Sequence, residues 1–158
     1  MFPKDFEIDK IYDNLLKPLP YFYLEKQKGG FLNSDSLKGK LTIINLWFTN
    51  CPPCVEEIPI LNNLKEKYGE SINTIAITFE DREKVMQFNQ LHKFDFEIVI
   101  NAKKYINSLG VNGYPKIIVL DKYNIVRYIP FGIIARDVES SEFLLQEFTK
   151  KIDELLKE

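Results

Sequence analysis

The chain has two cysteines, and they stand three positions apart in Cys51-Pro52-Pro53-Cys54. An apolar run, Leu41-Thr42-Ile43-Ile44-Asn45-Leu46-Trp47-Phe48, leads into them, and a helix-patterned stretch from Val55 to Tyr68 leads away. Two thiols at a strand-to-helix junction have the layout of a dithiol/disulfide redox centre. A disulfide across two intervening residues closes a very small loop and constrains the unfolded chain little, so scaffolding is a poor account of the pair. A static disulfide and half of a metal site are the competing readings.

The elements that must position these thiols follow from periodicity. The buried strand over 41–48 precedes a helix over 52–68, and Ile72 to Phe79 is a second strand. Asp81 can cap a helix from Arg82 to His92. Phe96 to Ile100 reads as a short strand, and Ala102 to Leu109 as a short helix ending at Gly110. Lys116 to Asp121 and Ile125 to Phe131 pair as a hairpin across Lys122-Tyr123-Asn124. Val138 to Leu156 is a closing amphipathic helix. Ahead of all this, residues 5–16 carry Ile8, Ile11, Tyr12 and Leu15 at helical spacing, ended by Leu16-Lys17-Pro18-Leu19-Pro20. Tyr21 to Leu24 and Phe31-Leu32 form a small hairpin across Gln27-Lys28-Gly29-Gly30, and Ser34 to Lys40 a turn or single helical turn. Alternating strands and helices, then an antiparallel hairpin and a helix, predict an α/β fold with a central mixed sheet and helices on both faces. The β-hairpin is an N-terminal extension of that sheet.

Composition bounds the function. A chain of 158 residues is read as one domain, divided here into an N-terminal extension, 1–19, and the domain proper, 20–158. At that size folding buries roughly 68–70% of the unfolded surface. With 45% hydrophobic and 13% aromatic residues, a core forms without disulfide staples. Net charge is −2 with no basic block, which argues against a nucleic-acid partner. No apolar run approaches the roughly 20 residues of a spanning helix. Asp5, Glu7 and Asp9 lie where a signal peptide is apolar. The sequence leaves open a cytoplasmic protein and one whose export signal or membrane tether has been removed.

From roughly residue 20 to 155 the chain resembles the thioredoxin-fold thiol-disulfide oxidoreductases of the TlpA/ResA type. The resemblance rests on Leu37-Lys38-Gly39-Lys40, on Asn45-Leu46-Trp47-Phe48-Thr49-Asn50-Cys51-Pro52-Pro53-Cys54, on Glu57 and Pro59, and on Val111-Asn112-Gly113-Tyr114-Pro115. It implies a thioredoxin fold and exchange of disulfides with protein substrates. The redox-active Cys51–Cys54 disulfide is then the only cofactor, an unidentified electron donor recharges it, and the setting is periplasmic or otherwise extracytoplasmic. The family commonly places Trp just before the first cysteine; this chain has Asn50.

Under that resemblance Cys51 is the attacking thiolate, favoured at a helix N-terminus by unpaired N–H groups and the dipole. Cys54, one turn on and less exposed, resolves the mixed disulfide. Pro52 and Pro53 fill the first turn, where a missing N–H costs nothing. Glu57 shares a helical face with Cys54; a partly buried carboxyl there has a raised pKa and could take the Cys54 proton. Its competing reading is a first-turn acid favouring the dipole. Glu56 serves as the control, with its side chain aimed elsewhere. Thioredoxins proper carry a buried Asp six residues before the first cysteine; here Asn45 cannot titrate, which moves the burden to Glu57. Pro59 should kink the helix rather than end it. The Tyr114–Pro115 bond is expected to be cis, with the Tyr114 backbone pairing with an extended substrate segment.

Trp47, Asn50, Pro52 and Pro53 complete the candidate substrate contacts, although Trp47 fits better as core or as a wall behind the thiols. Phe131-Gly132 could line the same groove. Tyr21 and Tyr23 are read as packing. His92 is read as a cation at a helix C-terminus. With prolines rather than a histidine between the thiols, the expected direction is reduction, nearer the thioredoxin potential of about −270 mV than about −120 mV. Two other functions compete. A copper-binding module on this fold would space its cysteines one residue further apart and add a histidine. A structural zinc site would want four ligands. A thiol peroxidase would need a Thr and an Arg around a lone cysteine; Thr49 is near, but no matching arginine stands out.

Overall fold

The computed structural model describes residues 9–158. A five-residue 3-10 helix, Lys10–Asn14, comes first, capped by the Asp9 side chain. The hairpin β1 (Tyr23–Glu25) and β2 (Phe31–Asn33) follows, then a 3-10 turn over Ser34–Leu37. The regular part is β3 (Leu41–Leu46), α1 (Pro52–Tyr68), β4 (Ile72–Ile77), α2 (Arg82–Asn89), β5 (Glu97–Val99) and α3 (Lys103–Ser108). It closes with β6 (Lys116–Leu120), β7 (Val126–Tyr128) and α4 (Val138–Leu156).

Five strands make one sheet in the order β5-β4-β3-β6-β7. β4 is parallel to β3 with Leu41 opposite Ile72 and Leu46 opposite Ile77, and β5 is parallel to β4. β6 lies antiparallel on the other side of β3, and β7 antiparallel to β6. All six β3 residues are buried, as a central strand covered on both faces must be. One face packs Ile43, Trp47, Ile117 and Val119 under α1, α2 and α4. The other packs Ile44, Leu46, Ile118 and Leu120 under α3 and the N-terminal segment. The mixed sheet between helices on both faces is the architecture the sequence implies.

Both sheet edges are covered, which protects them from pairing with other chains. At β5, Gln27 N donates to Ile98 O at 2.8 Å and Ile100 N to Glu25 O at 2.9 Å, so the β1–β2 hairpin seals that side. At β7, Leu16 N donates to Val126 O at 2.8 Å and Val126 N to Lys17 O at 3.0 Å.

Two expectations change. Of the helix expected over 5–16, the described residues show a 3-10 helix, Lys10–Asn14, that stops before Leu16; residues 5–8, Ile8 among them, lie outside the described residues. Leu16 adopts φ +61° as the chain turns onto the β7 edge; tertiary pairing outweighs a weak local helix pattern. α2 ends at Asn89 rather than His92, because Gln90 and Leu91 bond back by three residues and unwind the last turn. α1, by contrast, runs from Pro52 to Tyr68 through Pro59 without ending there.

Candidate active site

Cys51 is the N-cap of α1, with Pro52 and Pro53 at the first two helical positions. It is joined to Cys54 with the Cα atoms 5.2 Å apart. Both cysteines are nearly closed off, Cys51 at 4% exposure and Cys54 at 1%. Cys54 is the less exposed, as expected, though Cys51 is itself more covered than the sequence suggests. Asn50, Pro52 and Pro53 are exposed and form the solvent rim around the disulfide.

The first turn of a helix normally offers four free N–H donors. Here two are missing because their residues are prolines. Val55 N donates to Cys51 O at 3.0 Å. The Cys54 N–H is therefore the donor left for a thiolate at position 51. An N-cap side chain accepts from the second or third helical residue, and the second is Pro53. A thiolate at Cys51, whose side chain accepts no capping bond in the disulfide form, would have at most one such first-turn donor where most sequences would supply two.

Glu57 lies on α1 one turn beyond Cys54, and at 4% exposure it is as buried as the disulfide. Asn45 of β3 is the hydrogen-bond partner that reaches it, Nδ2 donating to Oε2 at 3.4 Å. That distance is long for an N–H···O bond, so the bond offsets little of the burial. Desolvation dominates and pushes the Glu57 carboxyl up to about 7, against the weaker downward pull of Asn45. Glu56 is exposed. The residue that cannot titrate and the residue that can are thus in contact, across the interface of the central strand and the first helix.

The segment just ahead of β6 carries Tyr114, whose bond to Pro115 is cis. The Tyr114 ring meets Phe48 edge-on, centroids 5.3 Å apart, and Phe79 at 5.8 Å; Phe48 and Phe79 are 5.6 Å apart. Phe79 is about one-third exposed at 36%. These three rings make an aromatic platform that the sequence reading missed. A signal existed: β3 and β4 are parallel with Leu46 opposite Ile77, so Phe48 and Phe79 follow the carboxyl ends of adjacent strands, where ligand-binding loops of α/β sheets gather.

Glu80 was also missed. Its carboxylate accepts from Thr49 N at 2.8 Å and from Thr49 Oγ1 at 2.9 Å, pinning the loop just ahead of Cys51.

Other candidates separate. Trp47 is fully buried and packs against Phe88 and Phe94; a ring with no exposed surface cannot meet a substrate, so its place is in the wall and it leaves the list of contacts. Phe131 is 96% exposed and packs on Tyr12, not on the platform rings. His92 stacks on Phe88 at 4.3 Å. Among the described residues, no group of three or more His, Cys, Asp and Glu converges as a metal site. No helix among them is long and apolar enough to cross a membrane.

Residues 15–129 match the model of the AhpC/TSA family. Thioredoxin-like protein YneN of Bacillus subtilis is 28% identical over 121 residues, covering 74% of this chain and 71% of that protein. Thiol-disulfide oxidoreductase ResA of Bacillus anthracis is 31% identical over 120 residues, covering 74% and 69%. The thioredoxin domain of a thiol-disulfide oxidoreductase from Bacteroides vulgatus superposes with a TM-score of 0.69 over 85% of this chain and 96% of its own, at 18% identity, a likeness of fold.

Proposed function

Because the chain belongs to the AhpC/TSA family and, within it, to the ResA-like thiol-disulfide oxidoreductases, we propose that it reduces disulfides of protein substrates, with Cys51 as nucleophile, Cys54 as resolving thiol and Glu57 as proton acceptor. The observation that carries the roles is the buried Glu57 carboxyl beside Asn45, poised at about 7 one turn from Cys54.

The Cys51 thiolate attacks one sulfur of the substrate disulfide; that S–S bond breaks, a mixed disulfide forms, and the first substrate sulfur leaves as thiolate. Glu57, ionised above about 7, takes the Cys54 proton. The Cys54 thiolate then attacks Cys51 Sγ and releases the second substrate sulfur. The substrate has gained two electrons, and the protein is left with the Cys51–Cys54 bond that the structure displays. A dithiol donor outside this chain must reduce that bond for the next turn. The extended substrate segment would pair with the Tyr114 backbone beside Pro115 and rest on the rim of Asn50, Pro52 and Pro53.

The helix start supports the reducing direction. A strong oxidant is one whose reduced form is stabilised, and two prolines remove first-turn donors that would stabilise it. A potential above about −150 mV would overturn this direction. An extracytoplasmic setting, with or without a membrane tether, rests on the family resemblance.

The peroxidase reading is weakened because Thr49, its one named candidate, is engaged by Glu80 through both its N–H and its hydroxyl. Trapping tests the proposal. Cys54→Ser, which cannot resolve, should accumulate partners disulfide-bonded to Cys51, seen as bands that vanish on reduction. Cys51→Ser should hold none and should not reduce insulin. Insulin reduction by Cys51→Ser would remove the mechanism.

A further inference from the structure

The N-terminal segment touches the substrate loop more closely than an edge cover needs to. Asp9 accepts from Asn112 N with both carboxylate oxygens at 3.2 Å. Its Oδ2 lies 3.1 Å from Lys116 Nζ, with both side chains largely covered. Asn112 and Lys116 stand on either side of Tyr114–Pro115. Asn14 Nδ2 donates to Leu109 O at 3.0 Å, at the head of the same loop. Between these points Gly110 has φ +76°, and a Cβ there would sit 2.7 Å from Lys10 Cβ. The loop thus approaches the segment so closely that only glycine fits.

The segment is itself fixed. Ile11 is fully buried among the α3-side residues, and Leu16 and Lys17 are hydrogen-bonded to Val126 of β7. Asp9 also caps its own 3-10 helix through Ile11 N at 3.1 Å. One carboxylate therefore joins a buried anchor to both flanks of the cis-proline.

We propose that residues 9–14 form a strap that holds the Leu109–Lys116 loop in its substrate-accepting shape, with Asp9 as the positioning residue. The proposal rests on the reading of Tyr114–Pro115 as the substrate edge. A backbone that must pair with an extended segment loses binding when its geometry drifts, and small misplacements of such groups are costly. Asp9 touches neither thiol nor substrate, so its effect should fall on binding and not on the sulfur couple.

The test uses the whole chain with insulin as the disulfide substrate and dithiothreitol as donor. Asp9→Ala should raise KM about tenfold, with the loss carried by KM rather than kcat and the redox potential at the wild-type value. Exchange of the Asn112 amide should quicken about tenfold as it loses its acceptor. Asp9→Asn keeps an acceptor oxygen and loses the charge, so it should fall between the two and serves if Asp9→Ala does not fold. Lys116→Met should give part of the KM increase without freeing the Asn112 amide. A folded Asp9 variant with wild-type KM, or with the Asn112 amide as protected as before, overturns the strap. Pro115→Ala separates the two readings. An elevated KM there with a wild-type KM for the Asp9 variants condemns the strap alone; a wild-type KM for Pro115→Ala condemns the substrate edge beneath it.

Discussion

The two faces of β3 are built to different rules. Toward α3, Ile44 and Leu46 meet Ile75, Ile77, Ile118 and Leu120, and the one polar β3 residue there, Thr42, is neutral and accepts from Asn73 Nδ2 at 3.1 Å. Toward α1, Ile43 and Trp47 do the same, but Asn45 between them is polar, buried and in contact with Glu57. Both faces are closed to water. A buried carboxyl held by one long hydrogen bond costs stability, and the α3 face shows that this sheet packs without one. The polar pair sits on the face that also carries Cys51 and Cys54. On the proposed mechanism, the difference separates what the fold needs from what the chemistry needs.

The largest effect should come from the apolar face and touch stability alone. Ile118 is almost completely buried in β6. Ile118→Ala should cost about 2–5 kcal/mol in urea unfolding through lost burial and a residual cavity, with the redox potential at the wild-type value. A shifted potential would mean that the faces are coupled through the sheet.

Glu57→Gln is the converse, with the size of the stability change depending on pH. Below its ordinary value of 4.5 the carboxyl is protonated in folded and unfolded chains alike, and no pH-linked cost exists. Between 4.5 and about 7 the unfolded chain ionises while the folded one holds its proton, so stability falls as pH rises; above about 7 the cost is constant. The gap corresponds to about 3 kcal/mol. In urea unfolding of the oxidised protein, whose cysteines do not titrate, Glu57→Gln should be the more stable form near pH 8 by up to that amount. Near pH 4 the two should converge. The same variant should exchange disulfides about 10²-fold more slowly above neutrality and lose the inflection near pH 7. Equal exchange rates across the range would leave Glu57 a structural acid.

How much of this was legible follows from which contacts are local. The bounds of α1 could be read because Pro52 at the first turn and apolar residues at helical spacing are properties of adjacent positions. Glu57 was found because three residues after Cys54 is one helical turn and because the resemblance places a carboxylate there. The cis-proline came from the resemblance alone. The Asn45–Glu57 contact joins residues 12 apart, Thr49–Glu80 joins residues 31 apart, and Asp9–Asn112 spans 103 positions. Each depends on strand order and register, which no local period encodes. The early end of the expected helix was missed for the same reason: what Leu16 does is set by Val126, far along the chain.

The smallest effect sharpens the comparison at the disulfide itself, where the α1 face meets solvent. Pro53 occupies the position whose N–H would ordinarily cap the residue ahead of the helix. Pro53→Ala restores that donor while keeping a good helix former. A hydrogen bond to a charged sulfur is worth about 1.5–3 kcal/mol, at the lower end where the restored donor, like Pro53, is open to solvent. The more stable reduced form should raise the potential by about 30 mV. Pro52→Ala restores the N–H one residue earlier, which does not reach an N-cap side chain, so it should move the potential less. Equal shifts from both would mean that the prolines act through the dipole or the loop and not through a specific donor. No shift from either would leave the reducing direction without its support in the helix start.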